Sequence, residues 1–104
     1  MDNFKVIYKI LKAFEGQMDN EEFCAERFSG EAFGISEPRY KAIMAELVRK
    51  GYVTGVMIKE YTDGGVNMHI QSNARITMEG MEYLAENSMM KKVVNAAKGI
   101  CEII

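Results

Sequence analysis

A chain of 104 residues is long enough for one domain with one modest core and too short for two. Its 48% hydrophobic and 27% charged content is ordinary for a soluble globular protein, and no apolar run is long enough to cross a bilayer. A net charge of −2 is not the footprint of a strongly basic nucleic-acid binder.

The N-terminal stretch "NFKVIYKILKAFEG" predicts a first helix over about residues 4–15, with Asn3 as its N-cap. Phe4, Ile7, Leu11 and Phe14 recur at helical spacing, and Val6, Tyr8 and Ile10 widen the apolar arc, so this helix should be covered on two sides. Its interleaved lysines exclude a secretory signal, which keeps its charge ahead of an unbroken apolar segment. Cytoplasmic residence and two reduced cysteines, Cys24 and Cys101, are the corresponding expectations. Gly16 is expected to end the helix in a left-handed conformation.

Residues 16–24, "GQMDNEEFC", read as an acidic loop with a short extended piece near Phe23. A second helix is placed at about residues 25–33 despite the Ser29-Gly30 interruption, with Phe28, Ala32, Phe33 and Ile35 as core contacts. Ser36 then caps a third helix over 37–50, and Pro38 falls in its first turn, where a missing N–H costs nothing. Tyr40, Ile43, Met44, Leu47 and Val48 follow the spacing of one buried face, and Gly51 closes the helix.

After Gly51 the period changes to two. In 56–61, Val56 and Ile58 alternate with Met57, Lys59 and Tyr61; in 66–71, Val66, Met68 and Ile70 alternate with Asn67, His69 and Gln71. The intervening "TDGG" is turn chemistry, so the two runs form a β-hairpin. A fourth helix starts at Thr77 and ends near Asn87, with Ile76 and Met81 stapling its entrance and Met81, Leu84 and Ala85 as its apolar face. A last helix, about 89–103, carries a broad apolar stripe. That stripe would dock on the spare apolar surface of the first helix, within one chain or across a homodimer. The predicted fold is α+β and mostly helical: a single winged helix-turn-helix domain with a hairpin wing, core about 3–76, and a C-terminal helical extension over about 77–103.

Three segments, "NFKVIYKILKA", "GISEPRYKAIMAELVRKGYVTGV" and "RITMEGMEYLAENSMMKKVVNAAKGI", together resemble the YjcQ protein family of small bacterial and prophage-encoded proteins. The resemblance spans nearly the whole chain and rests on apolar, glycine and capping residues. It implies a winged-helix fold with an extra C-terminal helical segment, and it brings no catalytic residue with it.

No cluster in the sequence meets the requirements of an active site or metal centre, so neither an enzyme nor a cofactor is expected. His69 is the sole histidine and reads as an exposed strand residue. The remaining candidate is the third helix, in a segment, 36–60, that carries five basic and three acidic side chains. Opposite its buried face lie Pro38, Ala42, Ala45 and Arg49, flanked by Arg39, Lys41, Glu46 and Lys50. Small residues allow close approach to a DNA groove, and long basic chains at the margins can reach phosphates. Arg39, Lys41, Ala42, Ala45, Arg49, Lys50 and Lys59 are therefore the candidate contacts to double-stranded DNA, with Arg49 foremost. The acidic wing tip argues the other way, since wings that enter a minor groove usually carry Arg or Lys there. Two functions stay open: a DNA-binding transcriptional regulator, and a winged-helix module that contacts protein without nucleic acid.

Overall fold

The computed structural model describes residues 3–63 and 65–87. In chain order these form α1 (Asn3–Gln17), two 3-10 turns (Ala25–Arg27 and Glu31–Phe33), α2 (Glu37–Arg49), β1 (Val53–Glu60), β2 (Val66–Ile76) and α3 (Met78–Glu86). The architecture is α+β and winged-helix-like, with the antiparallel β1–β2 hairpin as the wing. The predicted last helix, its docking or dimer contact and Cys101 lie outside the described residues.

α1 is the central core element. Val6, Ile10, Leu11 and Phe14 are fully buried and Tyr8 nearly so, as an apolar arc covered on two sides requires. Both predicted ends shift. Asn3 lies inside the helix, and its side chain accepts hydrogen bonds from Arg39 of α2 instead of capping. Gly16 stays helical, because the buried Gln17 extends α1 by anchoring the loop: its Oε1 accepts from the Cys24 N–H at 3.0 Å.

The predicted second helix is replaced by the two 3-10 turns, which flank Ser29-Gly30. No strand forms near Phe23. The segment is held by rings in place of a regular ladder. Phe14, Phe23 and Phe28 contact one another, Phe28 meets Phe33, and Phe33 stacks on Tyr40 with centroids 5.9 Å apart. Ala32, expected in the core, is exposed. Gly30 donates its N–H to Glu37 Oε1 at 2.7 Å, which ties this segment to the first turn of α2.

α2 begins as the sequence indicates: Ser36 Oγ accepts the Arg39 N–H at 3.3 Å and Pro38 sits in the first turn. Tyr40, Ile43, Met44 and Leu47 are buried beneath it. Gly51, at φ +76°, turns the chain into β1. The hairpin is longer than the two alternating runs suggest. Gly55, at φ +79°, makes an irregularity that lets β1 continue to Val53 and β2 to Ile76, opposite one another. A side chain at Gly55 would sit 2.6 Å from the Ala74 Cα, so that approach requires glycine. Thr77 caps α3 by accepting the Gly80 N–H at 3.1 Å, and its hydroxyl donates to the Gly51 carbonyl at 2.6 Å. On α3, Leu84 and Gly80 are buried and Met81 and Tyr83 half-buried, whereas Ala85 is exposed: the helix rests on its Gly80–Leu84 side, close against Tyr52 and Ile76.

Candidate functional site

The helix–wing face is built by α2 and by the part of the hairpin that projects beyond the core. Strand alternation turns Val56, Ile58 and Glu60 toward α2, each opposite Ile70, Met68 and Val66 respectively. Met57 and Lys59 face outward, opposite His69 and Asn67. The wing lies along one flank of α2 and forms two hollows with it. One, of about 420 Å³, is lined by Glu37, Pro38, Lys41, Ala42, Gly65 and Val66. The other, of about 350 Å³, is lined by Ala45, Val48, Arg49, Ile58 and Glu60.

This arrangement separates the seven residues singled out from the sequence. Ala42 is exposed as expected. Ala45 is buried at 7% exposure, which corrects the expectation that it stands at the centre of an open face. Periodicity places it away from the α1 side of α2, but the wing covers that flank. Lys41 is half-buried on the wing side. Arg39 is half-buried on the opposite flank, where its Nε donates to Asn3 Oδ1 at 2.8 Å and its Nη2 donates to the same oxygen. Lys50 is exposed at the C-terminal end of α2, and its backbone N–H donates to the Glu46 carbonyl. Lys59 is on the far face of the wing with its Nζ 5.4 Å from the centre of the Tyr61 ring, so it does not converge with the α2 cations.

Arg49 is the most constrained of the set. Its Nη1 donates to Glu46 Oε1 one turn back on α2, and its Nη2 donates to Glu60 Oε1 on β1 at 3.0 Å. One arginine is thus held between two carboxylates, and the bridge joins helix to wing. Glu60 is the residue that reading for cations missed. Its signal was present: it continues the inward series Val56, Ile58, and so faces the helix. At the wing tip, Asp63 Oδ1 accepts the Gly65 N–H at 2.9 Å and closes the turn.

The outer wing face is partly apolar, with Met57 59% and Tyr61 46% exposed. Gln71 Nε2 lies 3.4 Å from the Met57 sulfur, and His69 is exposed as predicted. Among the described residues the clear titration shifts fall elsewhere, on core tyrosines. Burial raises the Tyr8 phenol, against the opposing influence of Lys12 and with a smaller push from Glu15. Burial also raises Tyr40, assisted by the Glu37 carboxylate. Among the described residues no group of three His, Cys, Asp or Glu side chains could hold a metal ion, and no helix is long and apolar enough to cross a membrane.

The family model described as YjcQ protein matches residues 8–103, nearly the whole length. Comparison with curated proteins and with solved structures finds no match.

Proposed function

The chain belongs to the YjcQ protein family, and on that footing we propose that the helix–wing face docks a protein partner, in a cytoplasmic binding module without catalytic activity. The observation that carries this reading is Arg49 fixed between Glu46 and Glu60. An exposed ion pair is weak, about 0–1 kcal/mol, and a phosphate could displace it. Displacement would still leave two carboxylates beside the incoming phosphate, and Asp63 adds a third acid at the wing tip. A face with small residues, half-buried apolar side chains and charges of both signs suits the polar rim and apolar centre of a protein interface better than a polyanion.

DNA binding, with a regulatory and prophage-associated role, is the second reading. Lys41 and Lys50 favour it, since neither has an ion-pair partner among the described residues. Fluorescence anisotropy with a mixed-sequence duplex at about 50 mM salt separates the two. The docking reading expects no binding there, together with a protein partner captured from the source cell and lost on Ala42→Arg. Duplex binding by the wild type that falls steeply with salt and is weakened by Lys41→Glu and Lys50→Glu would overturn it in favour of DNA.

A further inference from the structure

Among the described residues, no carboxylate stands on the face of the wing turned away from α2. Met57 and Lys59 lie on it opposite His69 and Asn67, and all four are exposed. Gln71 belongs to the same side, since its Nε2 lies 3.4 Å from the Met57 sulfur. Tyr61 extends the row to the tip: its N–H donates to the Gly65 carbonyl at 2.8 Å, and its ring lies beside Lys59. At the base Arg75 is exposed opposite Thr54, while Val53 and Ile76 turn into the core. The nearby acids are directed elsewhere. Glu60 faces α2 and holds Arg49, and Asp63 closes the turn by accepting the Gly65 N–H. The chain has 15 acidic and 13 basic side chains, so a strip with cations and no acid reverses the overall balance locally.

The composition of the strip narrows its ligand. Lys59 and Arg75 have no ion-pair partner among the described residues, so both charges are open to a ligand. Five steps along β1 separate their levels, roughly 17 Å at the usual rise of a strand. The same strip carries two exposed rings, Tyr61 and His69, and the carboxamides of Asn67 and Gln71. A hollow of about 220 Å³ opens beside Met57, Lys59, Asn67 and His69. Rings offer base faces a surface to stack on, amides can bond base edges, and cations spaced along a strand can follow a line of phosphates. A duplex would use the cations alone, because its base faces are stacked within itself. Flat rings beside amides also favour bases over an acidic protein segment, which needs only the cations.

We propose that the outer wing face binds single-stranded nucleic acid, with Tyr61 and His69 stacking on bases and Lys59 and Arg75 meeting phosphates. The face lies across the wing from the hollows along α2, so its ligand is independent of what docks there.

Fluorescence anisotropy on the full chain at about 50 mM salt provides the test. The probes are labelled single strands of DNA and of RNA of about ten nucleotides, within the usual site sizes, the same DNA closed into a hairpin duplex, and labelled poly-L-glutamate. A single strand should bind more tightly than the hairpin or the polyglutamate, and the better of DNA and RNA identifies its source. Tyr61→Ala and His69→Ala, exposed changes whose fold is checked by circular dichroism, should each weaken binding about 5- to 150-fold, as loss of one stacked base requires. Tyr61→Phe should bind as the wild type does. Lys59→Gln and Arg75→Gln should each lower the magnitude of the salt slope by about 0.7, and Lys41→Gln, beside α2, should leave it unchanged. No binding of either strand, binding undiminished in Tyr61→Ala and His69→Ala, or a slope lowered by Lys41→Gln and not by Lys59→Gln would each overturn the proposal. An equal response to poly-L-glutamate would overturn it in favour of an acidic protein segment, and an equal response to the hairpin in favour of duplex DNA.

Discussion

Replacing Tyr40 by phenylalanine should stabilise the protein. Tyr40 is 1% exposed, and its hydroxyl has no hydrogen-bond partner among the described residues. A buried unpaired polar group costs about 1–3 kcal/mol, and deleting it removes that cost while the ring keeps its stack on Phe33. The space vacated by one oxygen offsets this by only a few tenths, taking about 24 cal/mol per Å³ of cavity. The net expectation is about 1 kcal/mol of added stability, or a rise in Tm of about 4–8 °C for a domain of this size. Urea unfolding followed by far-UV circular dichroism measures it. The pH dependence supplies an independent check. The Tyr40 phenol is raised above the ordinary 10.0, by burial first and by Glu37 second. The unfolded chain therefore loses this proton at lower pH than the native one. Stability contributed by the protonated native form is complete below about pH 10 and is lost as pH rises toward the folded value. The advantage of Tyr40→Phe should accordingly widen between about pH 9 and about pH 11; Tyr8 titrates in both proteins and cancels. A Tyr40→Phe protein destabilised by about 1 kcal/mol with an unchanged denaturant slope would refute the reasoning, because it would show that the hydroxyl is bonded.

Gly80→Ala should destabilise despite lying in a helix, where alanine normally gains about 1 kcal/mol. The added methyl would lie 2.6 Å from Ile76 Cγ1 and against the Tyr52 carbonyl, so α3 must shift; thermal unfolding reads the loss, and an unchanged or raised Tm would refute it. Thr77→Ala removes both the cap to Gly80 and the bond to the Gly51 carbonyl and should cost about 1–2 kcal/mol in urea unfolding, whereas Thr77→Ser should retain most of it. Glu46→Gln with Glu60→Gln frees Arg49 from its carboxylates. The double variant should gain salt-sensitive duplex affinity by anisotropy while folding stability changes by less than about 1 kcal/mol. No gain would refute the reading that Glu46 and Glu60 neutralise Arg49 against a duplex.

What was legible in the sequence follows the range of the interactions. Ser36 and Thr77 cap helices through contacts three residues away, and Asp63-Gly64-Gly65 is turn chemistry within one loop, so α2, α3 and the wing were visible from local pattern. The misplaced features depend on partners far along the chain. Asn3 looks like a cap until Arg39, from another helix, takes its oxygen. The second helix gives way to 3-10 turns because a run of rings from Phe14 to Tyr40 fixes the segment without a helical ladder. Gly55 carries no periodic signal, yet its positive φ lengthens both strands. Ala45 shows the same limit at the candidate site. Helical spacing places it away from the buried face, but only the path of the wing decides that this side is also covered.

The same distinction governs the functional reading. The +2 balance of residues 36–60 is a property of the sequence, but a polyanion meets a surface. On that surface Arg39 is bonded to Asn3, Arg49 lies between two carboxylates, and Lys59 faces the opposite side of the wing. Lys41 and Lys50 remain, one on the wing flank and half-buried, the other at the far end of α2. Two separated cations release few counterions, so any duplex contact made by this face should respond to salt with a slope of magnitude about 2 or less, at roughly 0.9 per phosphate neutralised. Where the basic side chains are left without internal partners, not how many there are, decides what this face can offer a polyanion.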